Sequence, residues 1–497
     1  LTPKHITELF CDLADIKPTD ILFDPCCGTS GFLIAGMHRM INAAYSEEQV
    51  NTIKRNSIFG IEIREDLFAI ATTNMILRGD GKSNLRRTDF LQEDPTQLTE
   101  TIQANVGFMN PPYSQAKGKD TAHLSELHFI KHLLDSLVEG GRACVIVPQS
   151  TMIGKTADDR KVKKHIYQNH TLEAVITLNR NTFYNVGTNP CIAVFTAKIP
   201  HDMEKRVKFF NFEDDGFVVS KHIGLLETES AKDKRKRLLD CYFDRVDAPS
   251  KFMVKTKIKP DDEWLHSFYY FNDEIPSESD LKRTIADYLT FEFSMIAHGR
   301  GYLFELDDYL SAESLANSAL SADNIEVAWR EFAMDEVFTK MQRGKRLKTD
   351  DHLEGDTPYI SSTGQNNGVA GFISNDKGVR KYNHCLTIAN SGSIGKAFYH
   401  PYEFVASDHV TALINQTFDR KVYLFLATIV SRLEEKYSFN RELSDKRIRT
   451  EKILLPVDDS GALNLDYMRN VMLEYELEVI DNLLFWYKSR HKKLNGR

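Results

Sequence analysis

No apolar run in this chain reaches the roughly twenty residues that a bilayer-spanning helix needs. The amino terminus also lacks the basic-then-apolar pattern of a secretory signal. A spanning or exported protein is therefore not expected. Seven cysteines are present, but none has the paired spacing of a zinc site or a disulfide framework. Cys26 and Cys27 are merely adjacent. That usage points to a reducing cytoplasm and to no metal site. Positive charge is missing too: 63 Lys and Arg against 71 Asp and Glu leave −8. Any affinity for nucleic acid must then come from basic residues gathered on one face. Neither a full G-x-G-x-x-G nor a phosphate-gripping Lys occurs, so pyrophosphate is not the obvious ligand. No internal repeat and no convincing Asp…Glu-x-Lys nuclease constellation is present. What remains is a chain of 497 residues, 42% hydrophobic, ample for two or three cores.

The most informative stretch is Asn110-Pro111-Pro112-Tyr113, which closes the apolar run Val106-Gly107-Phe108-Met109. The run reads as a strand. Two prolines stop its ladder because neither has an N–H to donate. An amide and a phenol are thereby held at the carboxyl edge of a sheet, where ligands bind in open α/β folds. An Asn oxygen beside a rigid proline carbonyl suits an exocyclic amino group with two N–H bonds to give. Tyr113 can lie flat on the heterocycle that carries it. The same tetrapeptide also fits a plain proline turn.

Ile21-Leu22-Phe23-Asp24 reads as a buried strand, followed by the turn Pro25-Cys26-Cys27-Gly28-Thr29-Ser30-Gly31 and a helix from Phe32 to about Ala44. Gly28 and Gly31 allow close backbone approach to a ligand. Asp24 at the strand end can hold a cationic amine. A second strand, Ser57 to Glu62, ends in an acid suited to ribose hydroxyls. After the helix Glu65–Leu77, a third strand end carries Asp89 and Phe90, an acceptor for an adenine amino group and a ring to pack on it. Each acid alone also fits a cap or turn. Thr2-Pro3 caps a helix over Lys4 to Leu13. Strands at Cys144–Val147, Ala174–Leu178 and Cys191–Phe195 complete a doubly wound α/β sheet of about seven strands. The loop Asn179 to Asn189 carries Phe183 and Tyr184. Pro190-Cys191 begins an apolar strand and reads as core.

Residues 1 to about 200 resemble an S-adenosylmethionine-dependent adenine-N6 DNA methyltransferase in the gamma order, like the modification subunits of type I restriction systems. Leu1-Thr2-Pro3-Lys4 resembles the family's Thr-Pro motif beside the methionine moiety, and Asp24 to Phe32 its Asp-Pro-x-Cys-Gly-Thr/Ser-Gly-Phe loop. The resemblance assigns cofactor contacts to Thr2, Pro3, Asp24, Cys27, Gly28, Thr29, Ser30, Gly31 and Phe32. It adds Glu62 for the ribose and Asp89-Phe90 for the adenine. It makes Asn110, Pro111, Pro112 and Tyr113 catalytic and Phe183 the aromatic stacked on a flipped base, ahead of Tyr184. The implied partner is double-stranded DNA in a bacterial or archaeal cytoplasm. Protein glutamine methyltransferases share Asn-Pro-Pro-Tyr but lack a long carboxy-terminal specificity domain. A non-catalytic DNA-specificity subunit is the other alternative.

Beyond Arg206 charge runs appear, Lys232 to Arg237 and Lys255, Lys257 and Lys259, which are solvated faces or phosphate contacts. The polar stretch Ser277 to Asp287 and the Ala/Ser-rich Ser311 to Asn324 read as linkers. From Trp329, short strands alternate with Gly, Ser and Asn loops. This mainly β region resembles a target-recognition domain of a type I specificity subunit or of the BcgI-like enzymes. Arg343, Lys345, Gln365 and Asn366 are its base-reading candidates, since Arg pairs with guanine and Gln or Asn with adenine. Leu463 to Lys493 reads as a long helix with one apolar face, either a spacer and dimer surface or a helix packed on its own domain. The expected division is 1–205 methyltransferase, 206–325 extension and helical connector, 326–460 recognition domain and 461–497 spacer helix. A preceding segment, a nuclease or a specificity subunit is an expected companion. The purified chain is predicted to methylate DNA without cutting it; magnesium-dependent cleavage of unmethylated DNA by this chain alone contradicts that.

Overall fold

Apolar residues alternate along the strands of the amino-terminal half, and the alternation sends them into two layers. Leu22, Val106, Phe108, Cys144 and Ile146 enter one core, shared with helices α1 (Lys4–Leu13) and α2 (Gly31–Asn42). Phe23, Met109, Ala143, Val145 and Val147 enter the other, against the helix Glu126–Ser136. Strands covered on both faces read as continuous apolar runs, which is why these were visible in the sequence.

The computed structural model describes residues 2–79, 84–184, 187–220, 224–304, 327–437 and 443–494, with side chains except at 119 and 487–494. Strands β1 (Leu22–Asp24), β2 (Ile58–Ile61), β3 (Asn84–Arg86), β4 (Val106–Met109) and β5 (Arg142–Pro148) run parallel. Between β5 and β6 (Thr171–Leu178) lies β7 (Pro190–Thr196), antiparallel to both. β8 (Val207–Phe212) runs parallel to β6. A separate hairpin joins β9 (Phe217–Ser220) to β10 (Gly224–Glu227). β11 (Met253–Thr256) closes the edge of the sheet, antiparallel to β8. The order is β11-β8-β6-β7-β5-β4-β1-β2-β3. Neighbours of β1 lead away in opposite chain directions, so the fold's switch point lies between β1 and β4.

The sheet therefore has nine strands rather than about seven. β8 and β11 escaped notice because Lys208, Asn211 and Lys255 interrupt them, while Phe209, Phe210 and Met253 are buried. The boundary expected at 205 falls just before β8, inside the first of two compact units, Leu1–Tyr270 and Phe271–Arg497. Half of the cations in the charge runs are paired within the chain. Lys234 meets Asp214, Arg235 meets Glu8 and Asp12, Lys255 meets Asp244 and Asp247, and Lys257 meets Glu204.

In the second unit two four-stranded sheets pack with three helices. The stretch Ser277 to Asp287, expected as linker, is the start of the helix Glu278–Ala297. Ser277 and Asp280 form a capping box there, with the Ser277 hydroxyl accepting from the Asp280 N–H at 3.2 Å. Leu281, Ile285 and Tyr288 bury one face of it. The linker expected at 311–324 lies outside the described residues. The helix Leu465–Leu494 buries Met468, Val471 and Met472 on its own unit, and Arg420 pairs with Glu476 across it. Leu483, Leu484 and Phe485, further along, are exposed. Among the described residues no helix is long and apolar enough to cross a membrane.

One cluster in the first unit has metal-like composition: Asp135, His165 and His170. The Lys198 backbone N–H donates to His170 Nδ1 at 2.9 Å. A backbone N–H can only donate, so the ring proton sits on Nε2, which faces Asp135 Oδ1 at 3.1 Å. His170 therefore offers no lone pair to a metal, and Asp135 is held in a polar network with it and with Lys131, which donates to Asp135 Oδ2 at 2.8 Å. Burial alone would raise the Asp135 pKa; hydrogen bonds from His170 and Lys131 outweigh it and hold the carboxyl at about 2. A depressed folded pKa contributes stability above the unfolded value near 4, lost as pH falls toward 2. Allowing for partial solvent screening, Asp135→Asn should cost about 1–2 kcal/mol at neutral pH. Urea denaturation of both proteins should show the gap closing below about pH 4; a gap independent of pH would count against the network.

Candidate active site

Two strand ends lie side by side where the strand order reverses. β1 ends in Asp24, and its neighbour β4 runs out into Asn110. Asp24 is 1% exposed, with Oδ1 accepting the Cys26 N–H at 3.1 Å and Oδ2 buried without a partner. Burial pushes its pKa up to about 8, against the Cys26 bond, and the nearby Glu62 charge adds to the rise. A buried carboxyl with an unsatisfied oxygen fits a cationic ligand group.

The loop after β1 leaves room for that ligand. Gly28 has φ +53°, and a Cβ there would project into open space. Ser30 is also left-handed, at φ +69°, a conformation uncommon for a residue with a side chain. Gly31 is not sterically required, because a Cβ would touch only Thr7 Cγ2 at 3.8 Å. Glu62 ties the loop to the next strand end: Oε2 accepts the Gly28 N–H at 2.9 Å and Oε1 the Arg64 N–H at 2.8 Å. Its oxygens keep lone pairs for hydroxyl groups. Asn74 Nδ2 donates to the Thr29 carbonyl at 3.1 Å and fixes the turn.

Several candidates sit in the core instead. Phe32 stacks on Phe10 at 4.4 Å and packs near Phe108. Cys27 is buried, and burial pushes its thiol pKa up. Phe90 is 3% exposed and meets His132 edge-to-face, so its ring has little surface left for an adenine. Asp89 caps the short turn Phe90–Gln92, its Oδ1 accepting the Leu91 N–H at 3.1 Å. The sequence reading overlooked Ile63, an apolar side chain 58% exposed directly beside Glu62. An apolar residue after a strand-end acid was the available signal.

The tetrapeptide is pinned from both sides. Asn110 Nδ2 donates to Thr2 Oγ1 at 3.0 Å, and the Tyr113 hydroxyl donates to the Ile146 carbonyl at 3.2 Å. Pro111 is buried and Pro112 exposed. Phe183 does reach Tyr113, with ring centroids 6.1 Å apart, but at 75°. An edge-to-face pair leaves no parallel slot, so a sandwiched base requires one ring to turn. Beside Phe183 opens a cavity of about 560 Å³ lined by Pro3, His5, Phe183, Tyr184, Phe217 and Leu225 among others. His5 stacks on Phe217 at 4.0 Å, and burial, with the Arg235 charge, lowers its pKa to about 4. The β9–β10 hairpin that forms this wall had no clear sequence signal.

In the second unit Arg343 is occupied. Its guanidinium donates to the Leu443 carbonyl at 3.2 Å and pairs with Asp445 at 3.3 Å. These contacts tie it to its own domain. Lys345, Gln365 and Asn366 are exposed. Gln365 and Asn366 lie on the connector between the antiparallel strands Glu354–Ile360 and Val369–Ile373. Asn366 Nδ2 donates to Val369 O at 3.2 Å within that turn.

Comparison with known proteins gives the same two-part division. The N-6 DNA Methylase family matches residues 1–274. This chain belongs to that family. A second match, to the type I restriction modification DNA specificity domain, covers residues 326–480. The chain is 55% identical over 305 residues to the type II restriction enzyme and methyltransferase RM.BcgI of Heyndrickxia coagulans, covering 61% of this chain and 48% of that protein. It is 31% identical over 157 residues to a specificity subunit from the same organism, S.BcgI, covering 31% of this chain and 46% of that one. A type I methylase subunit, EcoEI of Escherichia coli, is 27% identical over 217 residues, covering 40% and 42%. The chain thus spans about half the length of the curated relatives it matches.

Asp24 must ionise to pair with an ammonium group, and in the free protein it holds its proton up to about pH 8. Binding of S-adenosylmethionine should therefore tighten between about pH 6 and 7.5, by at most about tenfold per unit. Asp24→Asn should weaken binding and flatten that profile. Calorimetric titration across the range measures both, and a flat wild-type profile rules out the pairing.

Proposed function

We propose that this chain transfers a methyl group from S-adenosylmethionine to N6 of adenine in double-stranded DNA, with the second unit selecting the sequence, as part of a restriction-modification system. The observation that carries the reading is the placement of Asn110 and Asp24 at the ends of adjacent strands at the switch point. Family membership of residues 1–274 supports the reaction class, and the specificity-domain match supports DNA as substrate.

Asp24, Gly28 and Glu62 are the residues suited to hold the cofactor: a buried carboxyl for its amine, open space at the turn and acceptors for its hydroxyls. When bound, S-adenosylmethionine supplies a sulfonium methyl that is already strongly electrophilic. The chain's own task is to present the nucleophile. The adenine N6 lone pair is conjugated into the ring and attacks poorly. Asn110 Oδ1 and the Pro111 carbonyl accept the two amino hydrogens, which lets the nitrogen pyramidalise and frees its lone pair. Positioning then supplies much of the rate. No general base is required before transfer, because the product cation loses its proton to water. The amino group is closed off in a stacked duplex, so the base must leave it. Tyr113 and Phe183 are the rings against which it can settle.

The relatives named as restriction enzymes and subunits support partners of that kind: a nuclease-bearing segment, a specificity subunit or a second copy through the exposed end of the carboxy-terminal helix. Asn110→Ala should cut transfer to DNA by about a hundredfold or more, as loss of a preorganised polar contact does elsewhere, while cofactor still binds. Labelled cofactor, unmethylated genomic DNA and single-molecule mapping of modified bases make the test. N6-methyladenine in one short motif, lost in the variant, supports the proposal. Unchanged transfer in the variant, or label on a protein glutamine instead, refutes it.

A further inference from the structure

The contact between Thr2 and Asn110 joins residues 108 apart in the chain. It is not an incidental meeting of two loops. Thr2 precedes α1, whose first turn closes on the Pro3 carbonyl: the Ile6 and Thr7 N–H groups donate to it at 3.1 and 3.2 Å. α1 in turn is locked to β4. Phe10 and Phe108 are fully buried and meet edge-to-face with centroids 5.4 Å apart. Phe108 lies two residues before Asn110. The helix that delivers the hydroxyl and the strand that delivers the amide are thus packed as one piece.

An Asn side chain has two faces of opposite character, an acceptor oxygen and a donor NH₂. Only the oxygen can receive hydrogens from an exocyclic amino group; the NH₂ would set donor against donor. With Nδ2 directed at Thr2 Oγ1, Oδ1 is the atom left for the substrate. We propose that Thr2 is a positioning residue for the transfer step: its hydroxyl accepts from the Asn110 amide and holds the amide oxygen toward the amino group. The proposal rests on the adenine-methyltransferase reading of the site. It departs from the contact with the cofactor's methionine end that motif resemblance assigns to Thr2. A methyl in place of the hydroxyl leaves the Asn110 NH₂ without its acceptor in the productive orientation, a loss felt in the reaction more than in cofactor affinity.

The test uses the full chain, with Thr2→Val and Thr2→Ser compared in single-turnover methylation of unmethylated genomic DNA at saturating cofactor. Cofactor affinity is measured separately by calorimetry. Thr2→Val should slow transfer about ten- to a hundredfold with cofactor Kd changed less than about threefold, and Thr2→Ser should restore most of the rate. Weakened cofactor binding with an unchanged saturated rate overturns the proposal and assigns Thr2 to the cofactor. A double-mutant cycle supplies an independent arm. In an Asn110→Ala background Thr2→Val should have no further effect, whereas losses that simply multiply overturn the coupling. Wild-type transfer to adenine tests the underlying reading by itself.

Discussion

The site depends on one constraint, the forced ending of β4. A buried parallel strand normally needs both its N–H and carbonyl groups paired with neighbours. Pro111 and Pro112 have no N–H, so the ladder with β1 and β5 cannot extend past Asn110. Because this happens at the switch point, the chain leaves the sheet where a crevice already exists. The amide of Asn110 then has no strand partner to satisfy, and its side-chain geometry is set by what the crevice offers. The hydroxyl of Thr2 and the carbonyl of Ile146 are the fixed points that the fold places there.

The same crevice explains why its acids look badly placed in the free protein. A carboxyl as buried as Asp24 would be stabilised by a donor on each oxygen, yet Oδ2 has none. Glu62, also buried, instead has both oxygens met by backbone N–H groups. The two acids therefore differ in kind. Glu62 also shapes the Gly28 turn while keeping lone pairs to offer, whereas Asp24 Oδ2 has no partner within the chain. Such an incomplete group lowers stability and gains it back on binding, the usual mark of a recognition position rather than a structural one.

Legibility in the sequence followed burial. β4 and the helix Lys4–Leu13 can be read to the residue, β4 as a continuous apolar run covered on both faces and the helix by its one apolar face. β8 and β11 are hard to read because Lys and Asn stand among their apolar residues, in β11 at the edge of the sheet and in β8 beside it. Ser277-Glu278-Ser279-Asp280 is polar like a linker, yet its spacing is that of a capping box, and the box starts the helix. At the site, motif neighbours were over-assigned. Phe32 and Phe90 are buried against Phe10 and His132. The Thr2–Asn110 bond could not be read at all, since no local pattern announces a contact across 108 residues.

Charge gives the last constraint. A chain of net charge −8 has no general field to draw a polyanion to it. Within the second unit, Lys381, Lys396, Arg420, Arg432, Lys452 and Arg469 are each held by carboxylates of the same unit. A cation already neutralised by a neighbour releases little counterion when a phosphate approaches, so it adds little to binding. Among the described residues, Lys345, Arg346 and Lys348 take part in no such ion pair and are exposed. They follow Gly344, which lies so close to the Ala406 and Ser407 backbone that a Cβ would collide with it. The loop therefore leaves the sheet at a fixed point. Its free charges make it a better candidate for the phosphate backbone than Arg343, whose guanidinium already serves Leu443 and Asp445.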